Sequence, residues 1–391
     1  MTIKSISQVR NLKGQRVLLR ADFNVPLTKN GQVGNSEDFR IVRTAPTIKY
    51  LTGKGAKVII MAHLGRPEGK VNPKLSLKPV AKRLSQVIKQ SVKLSPEIIG
   101  SKTDKLVSQM KNGEVLLLEN IRFDAREEKA DKGFAKQLAK LADIYVNDGF
   151  AVSHRDQASV STIQQFLPSY AGLLLEAEIK YLGGALKNPK KPLVVIIGGA
   201  KISTKMKVIK NFTKVAKRIL LGGALANTVL KVMGLSVGKS AIEPEMFAEV
   251  KKFKLTDNQI VVPVDGLMAI KTEAKKGRTD ALADVRKDEL ILDIGPDTVK
   301  LYESILKSAK MVMWNGPMGL IENPAFAGGT KKLIKILAES KAQTIVGGGE
   351  TVQMIRKMKL ENKFSFISTG GGAMLEFLEG KKLPGLKKIV K

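Results

Sequence analysis

Val194–Lys205 reads VVIIGGAKISTK, in which a run of β-branched residues leads directly into two glycines. Apolar residues then repeat at helical spacing from Ile202, so the stretch predicts a strand, a tight glycine turn and a helix. Glycines let backbone N–H groups approach an oxyanion closely, and a helix N-terminus adds partial positive charge. Lys201 and Lys205 lie four residues apart, on one helix face. These features predict a phosphate site, although an ordinary strand-to-helix connection with surface lysines fits the same residues equally well.

Short apolar strands recur on both sides of this stretch, with segments of helical periodicity between them. In the first half the strands are followed by polar side chains, as in RVLLRADFNV (16–25), KVIIMAHLGRP (57–67), EVLLLENIRF (114–123) and IYVNDGFAVSHR (144–155). In the second half they end on small residues, as in RILLGGALANT (218–228), IVVPVDGLM (260–268), MVMWNGPMG (311–319), TIVGGGET (344–351) and FSFISTGGG (364–372). Alternating strands and helices predict an α/β protein with parallel sheets. Open parallel sheets bind ligands beyond the carboxyl ends of their strands. We therefore expect an arginine-lined crevice in the first half and a glycine-lined one in the second.

The chain length of 391 residues predicts two domains. We place the N-terminal domain at 1–170 and the C-terminal domain at 188–379, with 171–187 as a connecting helix and 380–391 as a tail. The connecting helix is amphipathic, begins after Pro168 and is predicted to end at Gly183-Gly184.

The residues that are missing or rare limit the possible chemistry. The absence of cysteine excludes disulfides, thiolate catalysis and cysteine-ligated metals, and only two histidines occur, His63 and His154. The first residues lack the apolar region of a signal peptide, and no long apolar run could span a bilayer. We therefore expect a cytoplasmic protein.

The formal net charge is +31, a value that suits a polyanionic partner such as nucleic acid or a membrane surface. This charge is spread along the chain, because residues 1–170 carry 29 Lys and Arg against 15 Asp and Glu, and residues 171–391 carry 38 against 21. No basic arm, RNA-binding aromatic motif or zinc finger accompanies it. We therefore expect anionic small substrates and neither a nucleic-acid nor a membrane partner.

Four arginines predict an anion pocket in the first half, because guanidinium groups bind phosphate and carboxylate in a bidentate manner. They lie in separate strand-end or loop regions, at Arg40, Arg66, Arg122 and Arg155. His63 directly follows a strand, where it is either an extra donor or a structural residue. Asp22 and Asn24 either bind a substrate hydroxyl or cap the loop that follows them.

Two glutamates follow glycine turns in the second half. Glu322 and Glu350 suit a ribose hydroxyl and a Mg²⁺ ion beside nucleotide phosphates, but Glu350 is equally favourable as a first-turn helix residue. The segment GLSVGKS (234–240) is one residue too short for a Walker A loop, and no GxGxxG fingerprint occurs. Neither a Walker nucleotidase nor a dinucleotide-dependent dehydrogenase is therefore indicated.

Taken in order, the motifs resemble those of the phosphoglycerate kinase family. The similarity runs from about Val17 to Leu386 and includes RADFNVP, FRI with PTI, HLGRP, LENIRF, VNDGF with HR, GGAKIS with Lys205, GGALANT, IGPDT, WNGPMG, GGGE and STGGGA. It implies two doubly wound, Rossmann-like parallel-sheet domains joined by a helical hinge, with the tail 380–391 packed back on the first domain. It also implies reversible phosphoryl transfer between 1,3-bisphosphoglycerate with ADP and 3-phosphoglycerate with ATP.

The resemblance implies a phosphoglycerate site on the N-terminal domain. Its residues would be Asp22, Asn24, Arg40, His63, Arg66, Arg122 and Arg155. Asp22 and Asn24 would bind the hydroxyl end of the substrate, Arg40 would lie beside the acyl group, and the remaining four would bind the 3-phosphate.

For the C-terminal domain the resemblance implies a site for ATP or ADP. Its residues would be Gly199, Lys201, Lys205, Gly222, Gly223, Leu292, Asn315, Pro317, Glu322, Gly349, Glu350 and Thr351. Gly222 and Gly223 would face adenine, Glu322 would bind ribose, Lys205 would contact phosphates and Glu350 would hold Mg²⁺. The implied catalytic residues are Arg40, Lys201, Lys205, Gly371 and Gly372. The two sites lie on different domains, so the resemblance also implies hinge closure.

The chain departs from the family pattern in three places. Glu350 stands where the pattern has Asp, Thr204 replaces the Asp that precedes the second lysine, and HRDQAS (154–159) replaces HRAHAS. These departures bear on metal geometry and rate rather than on the reaction class. We expect a monomeric enzyme. The alternative is a catalytically impaired homologue that binds polyanions through its basic surface.

Overall fold

A computed structural model describes residues 2–253, 255 and 257–390. The chain divides into two compact units. The first contains the residues up to Lys180 together with the tail from Gly380, and the second contains Tyr181–Glu379. Within the described residues, no helix is long and apolar enough to cross a membrane.

A six-stranded parallel sheet forms the centre of the first unit. Its strands are β1 (Arg16–Arg20), β2 (Lys57–Met61), β3 (Val92–Leu94), β4 (Val115–Leu117), β5 (Ile144–Asn147) and β6 (Ser169–Ala171), in the spatial order β3-β4-β2-β1-β5-β6. Arg20, the last residue of β1, pairs with Met61 of β2 and Asn147 of β5. This register brings the loops that follow these three strands to one edge of the sheet.

Helices cover both faces of this sheet. They are α1 (Phe39–Gly53), α2 (Lys78–Ile88), α3 (Ser101–Ser108), α4 (Lys132–Ala139) and the first part of α5 (Leu173–Lys187). Successive strand residues face opposite sides of a sheet, so Val17 and Leu19 belong to the core that contains Ile48 of α1, whereas Leu18 belongs to the core that contains Phe134 of α4. The doubly wound arrangement predicted for the first domain is confirmed.

The described residues of the second unit form nine strands in two sheets. They are β7 (Leu193–Ile197), β8 (Arg218–Leu221), β9 (Ile260–Val261), β10 (Asp265–Ala269), β11 (Arg278–Ala281), β12 (Leu290–Ile294), β13 (Met311–Asn315), β14 (Gln343–Gly347) and β15 (Phe366–Ile367). Six of them form a parallel sheet of order β15-β14-β13-β7-β8-β9. In chain order this is the 3-2-1-4-5-6 arrangement of doubly wound nucleotide-binding sheets, so this prediction is also confirmed.

The helices of the second unit follow its strands and include the remainder of α5. They are α6 (Met206–Phe212), α7 (Ala224–Val232), α8 (Phe247–Val250), α9 (Pro296–Lys307), α10 (Gly328–Ala338), α11 (Gly349–Lys357) and α12 (Gly372–Leu378). The strand-turn-helix prediction around the glycines of 198–199 corresponds to β7 followed by α6, but α6 begins only at Met206. Lys201 and Lys205 therefore precede the helix, and the prediction that they share one helix face was wrong.

The three remaining strands form an antiparallel sheet that was not predicted. Its order is β11-β10-β12. The segment IVVPVDGLM was read as one strand, but β9 ends at Val261 and β10 begins at Asp265. Pro263 lies between them and lacks the N–H that a continuous strand would donate, which explains the division.

The connecting helix differs from its prediction at both ends. It was expected to begin after Pro168, but Ser169–Ala171 form β6 and α5 begins at Leu173. The predicted stop at Gly183-Gly184 was also wrong, whereas the range 171–187 has the observed last residue. Helix α5 continues through Gly183 and Gly184 to Lys187. Ala185 is fully buried and extends the apolar face beyond the glycines, so packing outweighs their unfavourable helix propensity. The helix ends shortly before Pro189, whose ring disfavours a helical conformation at the preceding residue.

The C-terminal tail packs on the first unit. Gly385 donates from its N–H to the Ser153 carbonyl at 2.8 Å and accepts at its own carbonyl from Asn147 Nδ2 at 3.0 Å. Ile389 is fully buried, and its carbonyl accepts a hydrogen bond from Lys4 at 2.9 Å.

A buried carboxylate fixes the start of α5. Asp148 follows β5, and its Oδ1 accepts hydrogen bonds from the N–H groups of Leu174 and Leu175 at 3.0 and 3.1 Å. Its Oδ2 is buried and makes no hydrogen bond within the described residues. The pKa of Asp148 is raised to about 7, chiefly by burial and in part by the charge of buried Glu178, against the lowering effect of the hydrogen bonds that Asp148 accepts.

Substitution of Asp148 by Asn should make stability less sensitive to pH. Between pH 3.8, the ordinary pKa of the carboxyl group, and about 7, the folded state retains a proton that the unfolded state has released. The group therefore stabilises the fold at low pH and loses that contribution as pH rises through 7. Asn resembles the protonated carboxyl and does not titrate. Urea unfolding from about pH 5 to 8 should show a smaller decrease in the free energy of unfolding for Asp148→Asn.

Asp143→Asn is the matched control. Asp143 is partly exposed, and its ion pair with Arg16 holds its pKa below the ordinary value, so it does not titrate in this range. If the free energy of unfolding of Asp148→Asn falls with pH as steeply as that of the wild type, the raised pKa assigned to Asp148 is contradicted.

Candidate active site

Polar side chains converge beyond the carboxyl ends of the first sheet. The loop after β1 carries Asp22, which is buried and accepts hydrogen bonds from the N–H of Asn24 at 3.1 Å and from Arg40 Nη1. Arg40 lies in the first turn of α1 and is partly exposed, with 32% of its side chain accessible. The Asp22 carboxylate therefore orients this arginine towards the edge of the sheet.

The loop after β2 is held from two sides. Asn24 Oδ1 accepts a hydrogen bond from the N–H of Gly65 at 2.9 Å, and Arg122 Nη1 donates to the Gly65 carbonyl at 2.9 Å. Gly65 has φ of 64°, a left-handed conformation that glycine adopts without strain. Residues from three strand ends thus form one connected group.

Arg122 keeps donor groups that no side chain of the described residues satisfies. It is only 2% exposed, and its Nε and Nη2 are buried without a hydrogen bond there. Nε lies 3.4 Å from Glu128 Oε1, which is an ion-pair distance without hydrogen-bond geometry. Burial lowers the pKa of Arg122, and the nearby positive charges of Arg155 and Arg20 oppose the attraction of Glu128. Buried N–H donors of this kind are suited to an anion.

His63 lies at the centre of the positive charges. It is 3% exposed, and burial lowers its pKa well below 6.5, with further lowering by the charges of Arg20, Arg122, Arg40 and Arg155. The imidazole is therefore neutral at pH 7. The structure thus brings together Asp22, Asn24, Arg40, His63, Arg122 and Arg155. Arg66 is exposed and makes no hydrogen bond or ion pair with the described residues.

In the second unit, Lys205 lies beneath the glycine turn that follows β7. Its Nζ donates to the Gly198 carbonyl, and the residue is 8% exposed. Burial lowers its pKa to about 8, although the carboxylate of Glu350 acts in the opposite direction. Lys205 is therefore a desolvated cation next to backbone groups of the turn.

Three glycine loops pack closely at the point where the strand order reverses between β7 and β13. The N–H of Gly199 donates to the Pro317 carbonyl, and that of Gly223 donates to the Met318 carbonyl, both at 2.8 Å. Gly316 has φ of 90°, and a Cβ there would lie 2.5 Å from both the Gly198 carbonyl and Lys205 Nζ. Side chains are excluded at this point, which leaves backbone groups accessible to a ligand.

A pocket with an empty volume of about 990 Å³ opens beside these loops. Its apolar walls include Leu230 of α7, Leu282, and Leu290 and Leu292 of β12. The unpredicted antiparallel sheet therefore provides part of the pocket. The residues of the predicted nucleotide site that line it are Gly199, Gly223, Leu292, Pro317, Glu322 and Glu350.

The other predicted residues of this unit are not part of the pocket lining and lie at or after strand ends or at helix starts. Lys201 is exposed at the glycine turn, Asn315 is buried at the end of β13, and Gly349 and Thr351 lie in the first turn of α11. The N–H of Gly222 donates to the Ile197 carbonyl at 3.1 Å. Gly371 and Gly372 begin α12, whose Met374 packs against Asn315.

Comparison with known proteins supplies the family. A family model described as Phosphoglycerate kinase matches residues 6–381. The chain belongs to the phosphoglycerate kinase family. Members of this family are phosphotransferases, and this chain is an enzyme of that class.

Individual relatives are similar in sequence to this protein over nearly the whole chain. The phosphoglycerate kinase of Pseudothermotoga lettingae is 46% identical over 395 residues, which is 100% of this chain and 98% of that protein. That of Borreliella afzelii is 43% identical, with both chains covered completely. Among solved structures, phosphoglycerate kinase from Coxiella burnetii matches with a TM-score of 0.86 and 38% identity over 99% of both chains. That from Pyrococcus horikoshii has the same TM-score at 31% identity, over 99% of this chain and 98% of the other.

Glu350 is an acidic residue of this pocket that could hold Mg²⁺. Within the described residues, no group of three or more acidic, histidine or cysteine side chains could form a metal cage. Mg²⁺ beside nucleotides usually takes one or two carboxylates, phosphate oxygens and waters. One exposed carboxylate in the first turn of α11, lining the pocket, fits that donor set.

Sequence reasoning missed three buried residues behind the first site, namely Arg20, Glu127 and Ser159. Their side chains are all fully buried. Arg20 was visible as a strand-end arginine, and Glu127 lies in the polar segment DAREEKAD, which has no apolar periodicity. Periodicity does not distinguish a buried charge from a surface charge, so only the tertiary structure identifies them.

Substitution of Gly316 by Ala should destabilise the second unit. A methyl group there would meet the Gly198 carbonyl and Lys205 Nζ, and a positive φ strains any other residue. Strain and overpacking together should lower the free energy of unfolding by about 2–5 kcal/mol. Gly184→Ala is the control, because that position in α5 has no heavy atom within 4 Å of the added Cβ. Urea unfolding should show a loss only for Gly316→Ala, and equal stabilities would contradict the packing argument.

Proposed function

We propose that this protein catalyses reversible, Mg²⁺-dependent phosphoryl transfer between 1,3-bisphosphoglycerate and ADP, giving 3-phosphoglycerate and ATP, in glycolysis and gluconeogenesis. The observation that carries this proposal is the buried Arg122, whose Nε and Nη2 make no hydrogen bond within the described residues. Unsatisfied guanidinium donors in a buried, positively charged setting favour a phosphate or carboxylate ligand. A phosphorylated organic acid carries both groups.

The 3-phosphate would bind to the arginine group of the first unit. Arg122 and Arg155 provide charge there, neutral His63 provides a donor, and exposed Arg66 would complete the site from the rim. Asp22 and Asn24 would receive the hydroxyl end of the substrate. The Asp22 carboxylate accepts a hydrogen bond from Arg40, and the Asn24 side chain accepts one from the N–H of Gly65. Both side chains are therefore held in one orientation before substrate binds.

The nucleotide would bind to the pocket of the second unit. Its leucine-lined walls suit a purine ring, and Glu322 at the rim suits ribose hydroxyls. Gly222 and Gly223 would approach adenine, while Asn315, Pro317, Gly349 and Thr351 would surround the ribose and phosphates. Lys205 would contact the phosphates, because a buried lysine beside a glycine turn gains an anionic partner for its desolvated charge.

Phosphoryl transfer of this kind depends on positioning and charge neutralisation. The attacking group is already an anion, so the reaction needs no general base. Arg40, Lys201 and the backbone N–H groups at Gly371 and Gly372 would stabilise the phosphoryl group during transfer. Glu350 would hold Mg²⁺, which neutralises phosphate charge when it is bound. The two reactants bind to different units, so we also propose that a domain-closing movement brings them together and excludes water.

The polyanion-binding alternative is less well supported. It rested on the net charge of +31 and on the departures around the metal position. Membership of a phosphotransferase family over nearly the whole chain favours the enzyme, which we propose acts as a monomer. The deciding experiment is the initial rate of ATP-dependent acyl-phosphate formation from 3-phosphoglycerate. Robust transfer supports the proposal, and the absence of transfer with both ligands still bound would refute it.

Substitution of Arg40 by Ala should reduce kcat far more than it changes the KM for ATP. Arg40 is assigned to the phosphoryl group in transfer, and loss of one such donor typically costs about 10²–10³-fold. Arg126→Ala is the matched control, because Arg126 is an exposed arginine of the same unit paired with Asp124. Steady-state kinetics with each substrate varied separately will test this. A rise in the KM for ATP equal to the loss in kcat would refute the assignment.

Substitution of Glu350 by Ala should raise the Mg²⁺ concentration required for half-maximal rate several-fold. The remaining donors would be phosphate oxygens and water, which hold the ion less tightly without a protein carboxylate. Glu350→Asp shortens the side chain by one methylene and should preserve most of the metal response. Glu339→Gln, at an exposed carboxylate after α10, is the control. Identical Mg²⁺ titrations for all variants would exclude Glu350 from the metal site.

A further inference from the structure

A fully buried carboxylate lies behind the arginine group of the first unit. Glu127 accepts hydrogen bonds from Ser159, at Oε2 from the backbone N–H at 2.9 Å and at Oε1 from the hydroxyl at 2.6 Å. Both residues are fully buried. A buried carboxylate is costly unless it is hydrogen-bonded and electrically compensated. Burial raises the pKa of Glu127, while the positive charge of Arg20, the hydrogen bonds from Ser159 and the charge of Arg122 act in the opposite direction.

The Ser159 hydroxyl connects this carboxylate to Arg20. It accepts a hydrogen bond from Arg20 Nε at 2.9 Å while it donates to Glu127. Arg20 Nη1 donates to the Ala21 carbonyl, so two contacts fix the plane of the guanidinium. The hydroxyl has a single hydrogen, which it donates in the hydrogen bond to Glu127. Its oxygen can therefore only accept a hydrogen bond from the arginine.

Arg20 in turn determines which nitrogen of His63 carries hydrogen. Arg20 Nη2 lies within hydrogen-bonding distance of His63 Nδ1, at 3.4 Å. A guanidinium has donors only, so Nδ1 must be the acceptor and the hydrogen of the neutral ring must be on Nε2.

The other charged groups around His63 agree with this assignment. Asp22 Oδ1 lies 3.9 Å from Nδ1, which is too far for a hydrogen bond that would place a proton there. Arg40, Arg122 and Arg155 join Arg20 in disfavouring the imidazolium, as does burial. The negative charge of Asp22 favours the imidazolium, but the four arginines and burial act against it.

We infer that Glu127, Ser159 and Arg20 are positioning residues that hold His63 as the neutral Nε2–H tautomer, so that Nε2–H serves as a hydrogen-bond donor to an anionic substrate. The identity of the substrate rests on the function proposed above, whereas the tautomer does not. A neutral donor adds a directed hydrogen bond without adding another buried positive charge beside four arginines. It also keeps the binding site unchanged across neutral pH.

NMR of protein labelled with ¹⁵N-histidine tests the inference directly. The chain has two histidines, and His154→Gln identifies the signals of His63. In the wild type, Nδ1 should show the shift of an unprotonated nitrogen and Nε2 that of a protonated one, both constant from about pH 5.5 to 8. The Nδ1–H tautomer, or titration near the ordinary pKa of His, would overturn the inference.

Variants test the contribution of each positioning residue. Ser159→Ala should shift both nitrogens towards the average of the two tautomers and raise the KM for 3-phosphoglycerate several-fold, with kcat and the KM for ATP within about twofold. Glu127→Ala should change the nitrogen shifts and the KM for 3-phosphoglycerate in the same way. Glu127→Gln retains an acceptor oxygen, so its nitrogen shifts and KM should stay close to those of the wild type. Ser161→Ala, which removes a nearby hydroxyl bonded to Asp156, is the control.

The outcomes distinguish the inference from the proposed function. If the wild type shows the Nε2–H tautomer but transfers no phosphoryl group to 3-phosphoglycerate, the proposed function fails and the inference stands. If transfer is robust but Ser159→Ala and Glu127→Ala leave the His63 signals unchanged, the function stands and the inference fails. The wild-type spectrum remains decisive even if a variant does not fold.

Discussion

Positive charge that is buried at the carboxyl edge of a parallel sheet is the constraint on which the first unit depends. Register places the end of β1 beside those of β2 and β5, and the end of β2 beside that of β4. Arg20 at the end of β1 therefore lies next to the loops that carry His63 and Arg122. Cations brought this close and partly removed from water repel one another unless carboxylates or a ligand compensate them. Asp22 and Glu127 provide part of that compensation from within the fold. The remainder is suited to an anionic ligand, and binding one would relieve repulsion that folding leaves in place.

The second unit also forms a site suited to an anionic ligand, but it uses backbone groups instead of guanidinium groups. At the strand-order reversal between β7 and β13, the glycine turns approach so closely that a Cβ at Gly198 would lie 2.0 Å from the Pro317 carbonyl. Close approach of backbone requires the absence of side chains, and Lys205 supplies the charge from below. The first unit thus presents fixed charges and the second presents peptide dipoles beside an apolar wall. In the proposed function, the former suit one compact anion and the latter suit a ligand with a flat ring and a phosphate chain.

The sequence was sufficient for all six strands of the second parallel sheet and for β1, β2, β4 and β5 of the first, because strand-end residues and helical periodicity are local signals. It did not predict β3 or β6, which are only three residues long. The glycine turn at 198–199 and the buried strands were predicted in the positions where β7 and its neighbours occur. The antiparallel sheet was not predicted, since β11 has mainly exposed, polar residues and Pro263 interrupts an apparently continuous strand. The positioning role of Glu127 could not be predicted from the sequence either, because its burial depends on contacts with Arg20 and Ser159, which are distant in sequence. Local pattern predicts where polar loops meet, but not which of their charges become buried.

The distribution of arginine separates the site from the general basicity of the chain. Of the 67 basic residues, 14 are arginine, and five of these, Arg20, Arg40, Arg66, Arg122 and Arg155, belong to the predicted site or its buried support. A composition biased towards lysine would have placed lysine there if charge alone were required. Arginine has a planar set of donors that cannot be deprotonated in a protein, so it retains charge and direction when buried, as Arg20 and Arg122 do. Burial brings the pKa of a lysine closer to neutral pH, as it does for Lys205, whose pKa is lowered to about 8. The net charge of +31 is therefore a property of the surface, whereas anion recognition in the first unit depends on the geometry of a few arginines.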